Sequence, residues 1–175
     1  MKWIAEVRKV FPPAWRRLFF FVLVGLVLIV LIGSAVPLDE VQAREVLKQA
    51  QDIIPETITT QAIFLNNVRA ALIIMIPGVG AILGGIIIYS TGLVFGAAGE
   101  TLGIFGPGLI LLVGLTPFFW LEFLAYSASM TQSLYVGYGI YRGGVRMEAI
   151  RTVLLVFFVI LSLLLGAFLE ILFIR

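Results

Sequence analysis

Apolar residues run almost unbroken through four stretches, 18–36, 63–98, 104–141 and 152–174, and the polar residues collect between them. A helix rises 1.5 Å per residue and a bilayer's hydrocarbon core is about 30 Å thick, so about 20 such residues make one crossing. The first stretch has that length, follows Arg16 and Arg17, and stops at Pro37. It reads as an uncleaved anchor. The small residues Gly33, Ser34 and Ala35 would suit a signal-cleavage site, but the apolar run is longer than a secretory h-region and further spans follow. The last stretch is one span interrupted only by Glu170. As straight helices the two middle stretches would reach roughly 54 and 57 Å, too long for single crossings. Both carry helix breakers: Pro77-Gly78 in one, Gly106-Pro107 and Pro117 in the other.

Cytoplasmic flanks accumulate Lys and Arg, so the charges between the stretches orient them. The arm 1–17 holds Lys2, Arg8, Lys9, Arg16 and Arg17 against Glu6, and is cytoplasmic by this rule. Segment 37–61 holds Asp39, Glu40, Glu45, Asp52 and Glu56 against Arg44 and Lys48, which suits the outer side. Loop 142–151, with Arg142, Arg146 and Arg151 against Glu148, returns to the cytoplasm. Passing from an outer segment to an inner loop takes an odd number of crossings, so the broken-helix core 62–141 contributes three. The expected fold is therefore all-α: a polytopic transmembrane helical bundle with about five crossings. Segments 18–36 and 152–175 are the first and last spans. Residues 63–76 and 104–116 are each short for a full pass, so a re-entrant half-helix is the rival for either.

The outer segment itself predicts a short amphipathic helix. Pro37 suits a first turn, Asp39 and Glu40 follow where the helix dipole favours acids, and Leu38, Val41, Leu47, Ala50 and Ile54 fall near one face. It either lies on the membrane and caps the bundle, or docks an extracytoplasmic partner. In the amino-terminal arm, Trp3, Phe11 and Trp15 among the cations read as interfacial, with topology setting the simpler explanation.

Composition narrows the chemistry. Of 175 residues, 61% are hydrophobic and 13% charged, which belongs to the membrane class and makes the lipid bilayer the first partner. The chain has neither cysteine nor histidine, which removes disulfides, thiolate nucleophiles, imidazole bases and the usual zinc, haem and iron–sulfur ligands. No cofactor is implied. A net charge of +2 does not make a nucleic-acid surface. Intramembrane proteolysis needs serine with histidine or a pair of aspartates, and metal-dependent phosphoryl chemistry an acidic pair, so the expectation is a non-enzymatic protein.

In lipid, helices associate through close backbone approach at small residues. These occur at four-residue steps: Gly80 and Gly84, Gly92 and Gly96, and the stripe Ala125, Ser129, Ser133, Gly137. Packing within the chain explains them most simply; a homo-oligomer, or contact with other membrane proteins, would use the same motif. Glu122 stands out, following Pro117 inside an apolar stretch, where an acid costs at least about 2–3 kcal/mol. Helical spacing puts Tyr126, Ser129 and Ser133 on or beside its face, while Pro117 frees a carbonyl one turn earlier. Glu122 is either a protonatable or ion-binding group in a transport path between helices broken at Pro77 and Pro117, or a structural acid paired with Arg69 or with a helix end. A single carboxylate and short loops favour the structural reading. Glu100, in an expected turn, and Glu170, within reach of the headgroups, read as ordinary.

The run Ile63-Phe64-Leu65-Asn66-Asn67-Val68-Arg69-Ala70-Ala71-Leu72, continuing through Gly80, Gly84, Gly85 and Thr91-Gly92 to Gly96, resembles the stage II sporulation protein M family of integral membrane proteins. That family has an F-x-x-N-x-x-x-A entry to a glycine-rich span, then a Pro-His-Gly and Glu element in the next span. Pro117 and Glu122 occupy the proline and acid positions; the family's His-Gly is Phe118-Phe119 here, and its late Asn-Gly is Thr91-Gly92. The likeness covers roughly residues 60–142. It implies a divergent member acting as a membrane scaffold or assembly component in the cell membrane, without the sporulation role itself. A small permease-like transporter, or a transporter subunit using Glu122, is the alternative.

Overall fold

The computed structural model describes residues 10–53, 59–142 and 146–174. Among them are seven helices and no strand: α1 Pro13–Ser34, α2 Glu40–Ile53, α3 Thr60–Ile74, α4 Val79–Leu102, α5 Gly106–Val113, α6 Pro117–Arg142 and α7 Arg146–Ile174. The all-α expectation holds. Three helices are long and apolar enough to cross a membrane: α1, α4, and α7 over Glu148–Phe173. The pair α5 and α6, bent by 95°, counts as a fourth if taken as one broken span. The chain is a membrane-embedded helical bundle.

Helix ends follow local chemistry more closely than they follow the apolar runs. α1 begins before the apolar stretch because a proline with its fixed φ opens the helix, so Arg16 and Arg17 are helical. Pro37 does not open α2; Asp39 does. The Gln42 amide donates to Asp39 Oδ1 at 2.8 Å and the Asp39 amide donates to Gln42 Oε1 at 3.0 Å, a reciprocal capping box. The buried face of α2, laid against α4, is Ala43 with half-buried Val46, Leu47 and Ala50. Val41, expected on that face, is 75% exposed; Leu38 precedes the helix and Ile54 lies outside the described residues. Glu100 belongs to the last turn of α4, and the turn falls at Gly103, whose φ of 67° is left-handed and favours glycine.

Each middle stretch divides at its breakers. α3 ends before Pro77, which lacks an amide hydrogen and crowds the carbonyl four residues back. Gly78, at φ 73°, reverses the chain into α4. The freed polar groups of this turn are met by α6: Ser133 Oγ donates to the Ile76 carbonyl at 2.5 Å, and the Gly78 amide donates to the Ser133 carbonyl at 3.0 Å. Pro107 sits in the first turn of α5. Pro117 opens α6 rather than kinking a continuous helix. The Val113 carbonyl accepts from both the Thr116 amide and its hydroxyl, and Trp120 Nε1 donates to the Gly114 carbonyl at 2.8 Å.

Paired contacts give the directions. Trp15 meets Gln132, Gly84 meets Met130 and Thr152 meets Gln132, while Val30, Phe95 and Glu170 gather near Glu122. Hence α1, α4 and α7 run antiparallel to α6. Asn67 meets Glu122 and Ile76 meets Ser133, so α3 runs parallel to α6. One end of the bundle carries Arg16, Arg17, Arg142 and Arg151 and is called here the basic end; Ser34, Leu102 and Glu170 mark the opposite end. Large apolar side chains such as Phe21, Ile32, Ile82, Val153, Phe157 and Phe168 are exposed on the rim. Ser127, Ser129, Thr131, Gln132 and Ser133 of α6 are wholly buried at the centre.

Candidate functional site

The site grows from Glu122, one turn and a half into α6. Asn67 Nδ2 of α3 donates to Glu122 Oε1 at 2.5 Å. This replaces the expected partner: Arg69 lies two residues further along α3, about 200° around the helix, and is exposed beside Leu65, Leu72 and Ile76. Asn66 is exposed as well, whereas Asn67 is buried, because only one of two adjacent helical residues can face the bundle.

Glu122 borders a cavity of about 350 Å³ toward the end opposite the arginines. All the long helices contribute: Val30 from α1, Asn66 and Asn67 from α3, Thr91 and Phe95 from α4, Phe118, Phe119 and Phe123 from α6, and Glu170 from α7, with Val113 of α5 closing one side. Glu170, expected to reach the headgroups, is half-buried and shares the cavity with Glu122. The expected polar seam is divided. Tyr126 is 6% exposed and lies within electrostatic reach of both carboxylates. Ser129 is wholly buried, and its hydroxyl has no hydrogen-bond partner among the described residues. Ser133 belongs to the α3–α4 turn instead.

The small residues pack the chain against itself. A Cβ at Gly92 would stand 2.9 Å from the Gly33 Cα, and one at Gly96 would stand 2.9 Å from the Ser34 carbonyl oxygen, so α4 and α1 touch backbone to backbone. Gly106 of α5 enters the same seam. Gly80 faces the α3 carbonyls at Ile73 and Ile74, Gly84 faces Met130 and Ile74, and Gly137 faces the Gly78 turn. Ala125 is wholly buried. Gly33 and Ser34, small enough to suggest a cleavage site, are small because α4 lies against them.

A second polar cluster, unforeseen from the sequence, holds the basic end. Trp15 Nε1 donates to Gln132 Oε1 at 3.2 Å, and Gln132 Nε2 donates to Thr152 Oγ1 at 2.9 Å and to the Glu148 carbonyl at 3.2 Å. Arg151 donates through Nη1 to Glu148 Oε2 and through Nε to the Val10 carbonyl, each at 2.5 Å, and its guanidinium lies 5.3 Å from the Tyr135 ring. Trp15 is thus a buried anchor, stacked on Phe19 and edge-on to Phe11, rather than an interfacial residue; Trp3 lies outside the described residues. Arg151 is 3% exposed within α7 and does not belong to a solvated loop. Of the expected loop 142–151, residues 146–151 are helical. The sequence signal for this cluster was Gln132, a polar side chain in mid-span needing partners.

Comparison with protein-family models, curated proteins and solved structures finds no match for this chain. Among the described residues no group of three or more acidic side chains is placed to hold a metal ion.

Proposed function

We propose that this chain is a non-enzymatic protein of the cell membrane, a scaffold or assembly component of the stage II sporulation protein M type, crossing five times with its amino terminus in the cytoplasm. One observation carries the reading. The two sequence elements that bear the resemblance, Phe64, Asn67 and Ala71 on α3 and Pro117 and Glu122 on α6, meet through the Asn67–Glu122 hydrogen bond. An amide donating to a carboxylate neither activates a nucleophile nor relays a proton. It fastens two helices whose loops are far apart in sequence.

The five traversals are α1, α3, α4, α6 and α7. With 15 residues, α3 is short for a span, but the turn that follows it lies at the level of Ser133, next to Gln132, which Trp15 meets at the start of α1. From Thr60 to Gly78 the chain thus runs between the two ends. α5, eight residues long, lies against the seam of α1 and α4 and crosses nothing. The positive-inside rule places the basic end in the cytoplasm. α2 then stands outside, offering Glu40, Arg44, Glu45 and Lys48 on its exposed face to an assembly partner.

Single cysteines test the orientation, since the native chain has none. Labels at Lys48 and Thr101, both exposed, should react from outside intact cells, and one at Arg142 only after permeabilisation. Photo-crosslinkers at Glu45 and Lys48 should give one defined protein adduct in native membranes, and a crosslinker at lipid-facing Leu28 none. A chain that stays without an adduct at all three positions overturns the assembly role. The transport reading is favoured by Glu170 joining Glu122 in one cavity. It predicts a proton flux into proteoliposomes that Glu122→Gln abolishes, and equal leaks from both proteins reject it.

A further inference from the structure

The cavity between α3, α4, α6 and α7 has contents that the Asn67–Glu122 fastening does not need. A fastening requires one acid, and here there are two. Among the described residues neither Glu122 nor Glu170 has a basic partner; the ion pairs formed are Arg44–Glu40 on α2 and Arg151–Glu148 at the basic end. Two carboxylates in one apolar, partly closed space lack the positive charge that would offset their desolvation and mutual repulsion. Tyr126, 6% exposed and one turn along α6 from Glu122, packs beside the space without lining it. Two acids that border one cavity without a cation of the protein's own mark a place that a positively charged ligand would suit.

The rest of the lining selects the kind of cation. Phe95, Phe118, Phe119 and Phe123 all border the space. Benzene faces attract positive charge and also bury methyl or methylene groups, the combination that recognises ammonium groups carrying carbon. A hard divalent ion wants six or more oxygens. The cavity brings two carboxylates and two carboxamides, set among phenyl rings. At about 350 Å³ it is also far larger than a bare ion, and falls in the range of small-molecule sites.

We propose that this cavity binds a small organic cation, an amine or quaternary ammonium, with Glu122 and Glu170 as counter-charges, Phe95 and Phe118 against its carbon surface, and Asn66 completing the polar contacts. The site depends on neither the assembly role nor net transport, because equilibrium binding needs no partner and no flux. It also gives Glu170 a purpose that its place near the carboxyl end of α7 does not suggest.

The test is calorimetric titration of the full chain in lipid nanodiscs with tetramethylammonium, choline and putrescine. The neutral carbon isostere of choline, 3,3-dimethyl-1-butanol, is titrated alongside. At least one cation should bind saturably, and the neutral alcohol at least tenfold more weakly than choline if choline is the cation that binds. Glu122→Gln keeps an acceptor for Asn67 and so keeps the fold; Glu170→Gln removes the second charge. Each should weaken the bound cation at least tenfold, and Phe95→Leu severalfold. Three outcomes overturn the proposal: no saturable binding by any of the three cations, equal binding of choline and its neutral isostere, or binding unchanged in the Glu122→Gln/Glu170→Gln double variant. A thermal melt matching wild type shows that a loss in either variant is loss of the site rather than of the bundle.

Discussion

Adding one methyl group to α4 should have opposite effects at two positions seven residues apart. At Gly85 nothing lies within 4 Å of where a Cβ would be. Alanine there removes a glycine from a helix interior, a gain of up to about 1 kcal/mol. At Gly92 the same methyl would stand 2.9 Å from the Gly33 Cα and 3.0 Å from the Ser34 amide nitrogen. Carbon atoms pack comfortably at about 3.5–4.0 Å, so the two backbones would have to part by about 0.6–1 Å. No side-chain rotamer can relieve the overlap, because both neighbours are main chain. Separation at Gly92 also opens the contacts of Gly96 and Gly106 with Ser34 in the same seam. Overpacking of this kind costs about 1–3 kcal/mol, against which the helix-propensity gain of about 1 kcal/mol is offset. Gly92→Ala should therefore lose up to about 2 kcal/mol while Gly85→Ala holds steady or gains up to about 1 kcal/mol, a difference of about 2 kcal/mol. That is a change of about 30-fold in the ratio of folded to unfolded protein.

Reversible unfolding in mixed micelles, driven by increasing detergent denaturant and followed by far-ultraviolet circular dichroism, reads this difference directly. A third variant, Gly33→Ala, approaches the same contact from α1. Its combination with Gly92→Ala should cost less than the sum of the two, since the first methyl already separates the helices. If Gly92→Ala proves as stable as Gly85→Ala, or if the double variant is strictly additive, backbone contact between α1 and α4 is not what holds that side of the bundle.

The remaining predictions concern the polar fastenings. Asn67→Leu leaves the Glu122 carboxylate without its donor and should lower stability by about 1–3 kcal/mol; in a double-mutant cycle with Glu122→Leu the two should couple by about 0.6–2 kcal/mol, and zero coupling refutes the contact. Arg151→Leu leaves the largely buried Glu148 carboxylate with only a long bond from Gln132 Nε2 and should cost about 2–3 kcal/mol, less than a fully buried, fully unpaired charge, whereas the Glu148→Gln/Arg151→Leu pair should recover most of the loss in the same unfolding assay. Gln132→Leu orphans the Trp15 indole and should cost about 1–3 kcal/mol, and Gln132→Glu, which keeps the acceptor for Trp15 but sets a buried acid against the Glu148 carbonyl and carboxylate, should cost at least as much.

Hydropathy and breakers made the element list legible, and local competition hid the boundaries. Pro77-Gly78 and Pro117 divide the long stretches where the sequence puts them, since a missing amide hydrogen acts within a turn of itself. α2 was visible in outline, but Val41 lies about 120° around the helix from Leu47 and Ala43 only about 40° from it, so the buried face runs through Ala43 and leaves Val41 outside. For the site, Glu122 could be singled out by the cost of an acid in lipid. Its partner could not. Charge complementarity pointed to Arg69, and the helix's angular phase gave the place to Asn67. Glu170, close to the end of its stretch, reads from sequence as an acid that reaches the headgroups. The antiparallel run of α6 and α7 is what places it at the cavity.

That phase problem reflects how lipid changes which face of a helix is buried. In water the most apolar face of a helix goes inside, so burial can be read from hydrophobicity. In lipid both sides of a helix have apolar company, and the gain lies in close approach and in pairing polar groups. α6 shows the result: the segment with serines, a threonine and a glutamine at 127, 129, 131, 132 and 133 is wholly buried, while α7 turns Val153, Phe157, Leu161, Leu165 and Phe168 outward. The same rule explains why arginines fare so differently. Arg151 is buried because Glu148, the Val10 carbonyl and the Tyr135 ring surround it, whereas Arg69 faces outward among leucines with only its length to carry it toward water. Arg69→Leu should therefore raise, or leave unchanged, the unfolding midpoint of the protein in nanodiscs, the reverse of Arg151→Leu. A loss above about 1 kcal/mol for Arg69→Leu, beyond what an exposed or snorkelling cation contributes, would mean that α3 is covered at that position.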